Sequence, residues 1–359
     1  MIGADSVPPV SPASEGNTST GAGRSRSVVH WLVVGMGDVA LRRVLPALQR
    51  EPRSVIHGVV SRDPAKGAKH APRVWTDLQD ALQDEVIDAV YLATPVFLHH
   101  AQALQALRAG KHVLCEKPIT ISWAEACELE HVAHRENRLL GVAYFRRHYP
   151  KLVEARKLLG QGVIGTPVMA FASCSEWVPE FTAERSWLLD SSRAGSGPLY
   201  DIGSHRIDAL NFLLGDPVRV AAQMNTAVRP FPVEDGATVL IEYSSGARAV
   251  VDARWNTRTA MNEFRIVGTD GILELGPLDS PWLLYGDRKQ HLPCDENRHF
   301  PCIEAFVEGI LDGKPLECSA ARVRGAARVL DAASKEWREA LRTTAPAARA
   351  HSTANLGST

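Results

Sequence analysis

"VVHWLVVGMGDVA", residues 28–40, decides the fold. Its first half is a short apolar run that ends on glycine, the signature of a strand buried on both faces of a parallel sheet. Its second half, Gly35-Met36-Gly37-Asp38-Val39-Ala40, fits the G-x-G-x-x-G/A pattern. Gly35 permits the tight turn, Gly37 lets the backbone approach a pyrophosphate, and Ala40 is small enough for a helix to pack on the strand. Asp38 and Val39 open that helix, whose free N–H groups and dipole present a positive end to an anion. Glycines also serve ordinary tight turns. Placed directly after a strand, the pattern favours a dinucleotide site.

Outward from this loop, strand and helix alternate. "DVALRRVLPALQRE" has helical spacing, with Pro46 expected as a kink or break, and "VIHGVVS" reads as a second strand. "TDLQDALQD" is a helix with Thr76 as its expected N-cap, "DAVYLATP" a strand, and "HHAQALQALRAG" a helix closed by Gly110. "HVLCEKP" is a strand, followed by a helix with Ser122 at the N-cap and Glu125 at the capping-box position, and then by "LLGVAYF". This spacing predicts a doubly wound parallel sheet. Beyond Pro150 longer strands appear, with Ser-Ser-Gly and Thr-Asp-Gly turns that signal hairpins. The fold class is therefore α/β: a Rossmann domain over 28–147, then an α+β domain over 148–340 with a mostly antiparallel open sheet. The stretches 1–27 and 341–359, rich in small and polar residues, are expected to be disordered.

The chain has 359 residues and is 45% hydrophobic, enough to build two cores. Forty basic and 41 acidic residues leave a formal charge of -1, and no basic block suggests a nucleic-acid or anionic-membrane surface. There is no apolar run of the ~18 residues that a membrane helix needs, and no secretion signal at the start, so a cytoplasmic protein is expected. Six scattered cysteines lack CxxC spacing, which argues against a zinc ribbon or redox dithiol and for reduced thiols.

The end of the second strand bears on the cofactor. Ser61-Arg62-Asp63, with Lys66 close behind, suits a 2′-phosphate through Ser61, Arg62 and Lys66; Asp63 could instead hold a ribose. The expectation is NADP(H), with NAD possible.

A second stretch carries chemistry: "GPLYDIGSHRID", residues 197–208. On a helix, Asp201 and His205 are four apart and Asp208 three further, all on one face. Such a face could be a catalytic pair, a metal site, or the polar side of a helix. The helical zinc signature pairs two histidines, and this stretch has one, so no metal is expected.

The stretch "ATPVFLHHAQALQALRAGKHVLCEKPIT", with "GVAYFRRHYP" and "GSGPLYDIGSHRID", resembles the glucose–fructose oxidoreductase/inositol dehydrogenase/rhizopine-catabolism (Gfo/Idh/MocA) family over roughly residues 28–340. The resemblance implies NAD- or NADP-dependent oxidoreductases of sugars, inositols and related polyols that assemble as homodimers or homotetramers through the second-domain sheet. It implies catalytic roles for Lys117, Asp201 and His205. Glu116 with Lys117, and Thr94, Pro95 and His99, fall at cofactor positions, although Val96 stands where Asn is commoner. Arg146 and Arg147 fall on the substrate side.

The chemistry agrees with those residue types. An imidazole, titrating nearest neutrality, suits His205 to the hydroxyl proton, and an ammonium suits Lys117 to a developing alkoxide. Asp201 could orient the ring or bind substrate. Trp187 in "ERSWLLD" offers an indole face to a sugar ring, and is as often simply core. Asp208 is expected to be structural, tied to nearby backbone or to Arg206. Two other readings stand beside a dehydrogenase: an NAD-dependent glycoside hydrolase using transient oxidation, and a non-catalytic dinucleotide-binding regulator. A regulator has no need of Lys117 and His205.

Overall fold

Six strands, β1 (Val29–Val34), β2 (Ser54–Val60), β3 (Val74–Trp75), β4 (Ala89–Leu92), β5 (His112–Cys115) and β6 (Leu140–Val142), form one sheet. All are parallel, in the order β3-β2-β1-β4-β5-β6. The computed structural model describes residues 27–178 and 180–348; the expectations for 1–26 and 349–359 fall outside it. β1 lies centrally because Trp31, Leu32 and Val33 have no polar side to present, and all three are fully buried. The order reverses between β1 and β4, which opens a crevice at their carboxyl ends.

The helix after β1 continues through Pro46 instead of breaking. A π-helical turn, Ala40–Val44, precedes Leu45–Arg50, and the Leu45 N–H reaches back to the Ala40 carbonyl. The widened turn accommodates a proline that has no N–H to give. Asp77, not Thr76, caps the helix Leu78–Leu82, accepting from the Gln79 N–H at 2.6 Å. Ser122 and Glu125 form the expected capping box on the helix Trp123–Arg135.

The second sheet has eight strands: β7 (Pro167–Ser175), β8 (Pro217–Asn225), β9 (Gly236–Tyr243), β10 (Arg248–Arg254), β11 (Phe264–Gly268), β12 (Ile272–Glu274), β13 (Trp282–Tyr285) and β14 (Arg288–His291). Their order is β14-β13-β12-β11-β7-β10-β9-β8, with β7 and β10 parallel and every other pair antiparallel. Both expected hairpins form, β9–β10 turning at Gly246 with φ +86°.

The helix Ser204–Leu214 is buried along its whole length, in contact with this sheet and with the elements leading into it. Two later helices return to the first half. Phe306 of the helix Phe300–Asp312 packs its ring 5.7 Å from that of Trp31. The helix Ala320–Ala348 joins Trp123 through Asp331, whose carboxylate accepts the Trp123 N–H at 2.9 Å. It runs past residue 341, where a loose tail was expected to begin. No helix among the described residues is long and apolar enough to cross a membrane.

Candidate active site

The phosphate loop has the geometry its glycines predict. Gly35 sits at φ +92°, and a Cβ there would meet the Ala93 carbonyl oxygen at 2.8 Å and Thr94 Cγ2 at 3.0 Å. A Cβ on Gly37 would meet nothing within 4 Å, which leaves the backbone face before the helix open to a large anion. A dinucleotide fits this loop. Asp38, exposed, pairs with Arg42 at 3.1 Å, and Val39 is exposed beside it.

At the end of β2 the Ser61 hydroxyl donates to the Asp63 carbonyl at 2.8 Å. The Asp63 carboxylate caps the short helix Pro64–Gly67, accepting the Lys66 N–H at 3.1 Å. One carboxylate oxygen of Asp63 is thus used as a cap, while Arg62, Asp63 and Lys66 are all exposed to solvent.

Behind the crevice, His99 is buried between two backbone carbonyls, 2.7 Å from that of Thr94 and 2.9 Å from that of Pro118. Burial lowers its pKa, so the neutral ring donates its one N–H to one of these carbonyls while packing between the Thr94–Pro95 loop and the Glu116-Lys117-Pro118 loop. The Thr94 hydroxyl donates to Gln102 at 2.6 Å, and Pro95 caps the helix Val96–Arg108.

Glu116 is buried and anchored by Tyr91, whose hydroxyl donates at 2.8 Å, and by the His299 ring nitrogen at 3.1 Å. Burial works against its charge, but these hydrogen bonds hold the carboxyl below its ordinary pKa. Lys117 points the other way. Its ammonium donates to the Asp201 carbonyl oxygen at 2.7 Å and lies 3.8 Å from the Asp201 carboxylate. Burial lowers its pKa, with Asp201 and Glu116 opposing.

Asp201 lies in a π-helical turn, Leu199–Gly203, that leads into the helix Ser204–Leu214. The widened register separates it from the face of the residues that follow. Asp201 turns to Lys117 and to Arg185 at 3.4 Å, whereas Asp208 turns inward, so the two do not share a ligand set with His205. His205 is 8% exposed and lies edge-on to Tyr144, with its ring 5.3 Å from that of Phe145. Its Nδ1 is buried without a partner. Burial, then the charges of Arg146 and Lys117, drive its pKa well below the ordinary histidine value. The imidazole is neutral at pH 7.

The two arginines of the linking turn, Phe145–His148, have separate fates. Arg146 pairs with Asp279 at 3.1 Å, and its buried Nη1 has no partner. Arg147 is buried and bidentate on Asp208, at 2.8 and 3.0 Å, and also donates to the Glu317 and Arg322 carbonyls. It is a tether, not a substrate ligand. Asp208 is thus structural as expected, but through Arg147; Arg206 donates to Asn262 at 2.9 Å.

Trp187 is half-buried in a satellite apolar cluster with Val178, Leu188, Val233 and Trp255. That contact accounts for its buried part. His299 and Asp279, which hold Glu116 and Arg146, were not singled out from the sequence, because neither belongs to a recognisable local pattern. A separate cavity of about 540 Å³ between β8–β10 and the helix Ala320–Ala348, lined by Met224, Arg254 and Trp337 among others, contains none of these residues.

A Rossmann crevice that faces a lysine and a buried neutral histidine is the architecture of a nucleotide-dependent oxidoreductase. Comparison with known proteins gives the family. Residues 29–144 match the oxidoreductase family model with an NAD-binding Rossmann fold, and residues 152–274 match the Gfo/Idh/MocA C-terminal domain. The chain belongs to the Gfo/Idh/MocA family of NAD(P)-dependent oxidoreductases. It is 29% identical over 294 residues to the 1,5-anhydro-D-fructose reductase of Ensifer adhaerens, covering 78% of this chain and 87% of that one. It is also 29% identical over 250 residues to D-xylose 1-dehydrogenase (NADP(+)) 2 of Haloferax volcanii, covering 68% and 75%. The structure of the aldose-aldose oxidoreductase from Caulobacter crescentus superposes with a TM-score of 0.77 at 26% identity, over 87% of this chain and 98% of that one.

Proposed function

We propose that this protein interconverts a secondary alcohol and a ketone on a sugar, inositol or related polyol, with NADP(H) preferred over NAD(H). The observation that carries the reading is the Lys117 ammonium held on the Asp201 carbonyl, one turn before His205. The reductase and dehydrogenase relatives support a sugar as substrate.

Gly35, Gly37 and the N–H groups at Asp38 and Val39 would hold the pyrophosphate. Ser61, Arg62 and Lys66 would hold the 2′-phosphate, and Thr94, Pro95, Glu116 and Lys117 would flank the nicotinamide. The cofactor, when bound, takes or gives the hydride. His205, neutral, accepts the hydroxyl proton at a ring nitrogen. The Lys117 Nζ stabilises the oxygen as negative charge develops on it. Asp201 keeps that ammonium charged and positioned. Arg146 supplies an unpaired N–H to a substrate hydroxyl or acid.

The cleft would lie between a nucleotide-binding half, cut near residue 147, and the sheet of the second half. The outer face of that sheet, where Leu240 is 44% exposed, would join copies into a dimer or tetramer in the cytoplasm. The test is a panel of sugars, inositols and keto-sugars assayed for reduced-nicotinamide absorbance with both cofactors. Stoichiometric turnover of NADPH is expected. Glycoside cleavage with no net reduction would replace this reading with a hydrolase.

A further inference from the structure

Away from the hydride chemistry, the fold gathers three side chains that sequence spacing keeps far apart. His148 ends the linking turn Phe145–His148, Cys302 lies on the helix Phe300–Asp312, and Cys318 precedes the helix Ala320–Ala348. Their ligand atoms all lie within 4.8 Å of one another, the one such cluster among the described residues. The His148 Nε2 is 3.4 Å from the Cys318 sulfur, which also lies 3.5 Å from the Tyr144 carbonyl oxygen. Cys302 and Cys318 are buried, His148 half-buried, and all six cysteines are free thiols.

The geometry points to a binding site for a single Zn²⁺ on His148, Cys302 and Cys318. Tetrahedral zinc with Zn–S of about 2.3 Å and Zn–N of about 2.0–2.1 Å separates its ligand atoms by roughly 3.5–3.8 Å. The His148–Cys318 separation of 3.4 Å matches this, and with all three atoms within 4.8 Å of one another, side-chain movements of about 1 Å complete the set. The Tyr144 carbonyl or a water is the fourth donor. Two thiols lose their protons as the ion binds, so one Zn²⁺ enters, two H⁺ leave, and the site stays neutral overall. That neutrality matters where both sulfurs are out of water. Sequence spacing excludes a zinc ribbon, but a ligand set drawn from three distant segments leaves no spacing to read. The ion would staple the turn that carries Arg146 and Arg147 to the segment that carries His299.

The test uses the full chain, reduced and stripped with a chelator, then titrated with Co²⁺ as an optical probe and with Zn²⁺ in competition. One Co²⁺ per chain is expected, with intense near-ultraviolet thiolate-to-cobalt absorption that Zn²⁺ abolishes. Cys318→Ser and Cys302→Ser should lose this signal, and Cys127→Ser should keep it. Because His148 is half-buried, His148→Gln gives a second variant whose folding is least at risk; in it, Co²⁺ affinity should fall at least tenfold while the circular dichroism of the wild type is retained. No stoichiometric uptake by the reduced wild type, or uptake unchanged in Cys318→Ser and His148→Gln, would overturn the site. So would a Cys302–Cys318 disulfide in protein prepared without added oxidant.

Discussion

The Lys117 ammonium rests 2.7 Å from the backbone carbonyl of Asp201, a contact across 84 residues that joins the end of β5 to the start of the His205 helix. A backbone acceptor fixes the amine wherever the Asp201 side chain points. Two halves of the chain thereby meet at one contact, and the first expectation concerns that amine.

Replacing Lys117 with Ala should reduce kcat by about 10²–10⁴-fold while leaving NADPH binding within a few-fold. Steady-state rates with a fluorescence titration of the cofactor check both halves. Unchanged turnover would remove Lys117 from the chemistry.

His205→Asn should cost a similar factor, about 10²–10⁴ in kcat. Burial and the neighbouring cations hold the imidazole well below its ordinary pKa. In the direction of alcohol oxidation the base is therefore still neutral when pH falls through the ordinary histidine value. The kcat/KM profile should stay flat there and drop only at more acidic pH. A break at the ordinary histidine pKa would contradict this placement.

On the proposed preference for NADP(H), Arg62 meets the 2′-phosphate beside the helix cap Asp63. Arg62→Ala should raise the KM for NADPH by about 10–100-fold, the worth of one or two charge-assisted hydrogen bonds, and leave that for NADH nearly unchanged. An equal effect on both cofactors would mean that Arg62 does not meet the 2′-phosphate.

Arg147 and Asp208 form a buried bidentate pair. Breaking it with Arg147→Met should destabilise the fold by about 3–5 kcal/mol, because a carboxylate is left buried and unpaired. Urea unfolding measures this. If the folded variant shows a raised KM without lost stability, Arg147 reaches substrate after all.

Glu234 accepts the N–H groups of Gly197 at 2.7 Å and Leu199 at 3.3 Å, and the Ser196 hydroxyl, just before the Asp201 turn. Burial raises its pKa to about 7 from an ordinary 4.5. The folded-state value is the higher one, so its contribution is fully present below pH 4.5 and is lost as pH rises through about 7. The difference is worth roughly 3 kcal/mol at ~1.4 kcal/mol per pH unit. Across this range the wild type should lose stability relative to Glu234→Gln, as read from paired thermal melts.

Local patterns told most of the fold. Gly35 needs a positive φ wherever the turn is this tight, and Ser122 with Glu125 caps a helix whatever packs on it. Arg146 and Arg147 show where local reading ends. Adjacent residues on a 3-10 turn diverge by about 120°, so Arg146 turns to Asp279 and its neighbour enters the core on Asp208. His99 lies between the Thr94 and Pro118 carbonyls, a setting invisible in a one-dimensional string. His299 meets Glu116 across 183 residues, and no spacing rule reaches that far.

The return of the helix Phe300–Asp312 to β1 has a practical meaning for dissection of the molecule. The nucleotide-binding sheet borrows part of its covering from near the other end of the polypeptide. A fragment ending at residue 147 would strip the Trp31 ring of Phe306 and Glu116 of His299. Anyone transplanting this half onto another scaffold must carry that distant helix along, or expect the excised piece to aggregate.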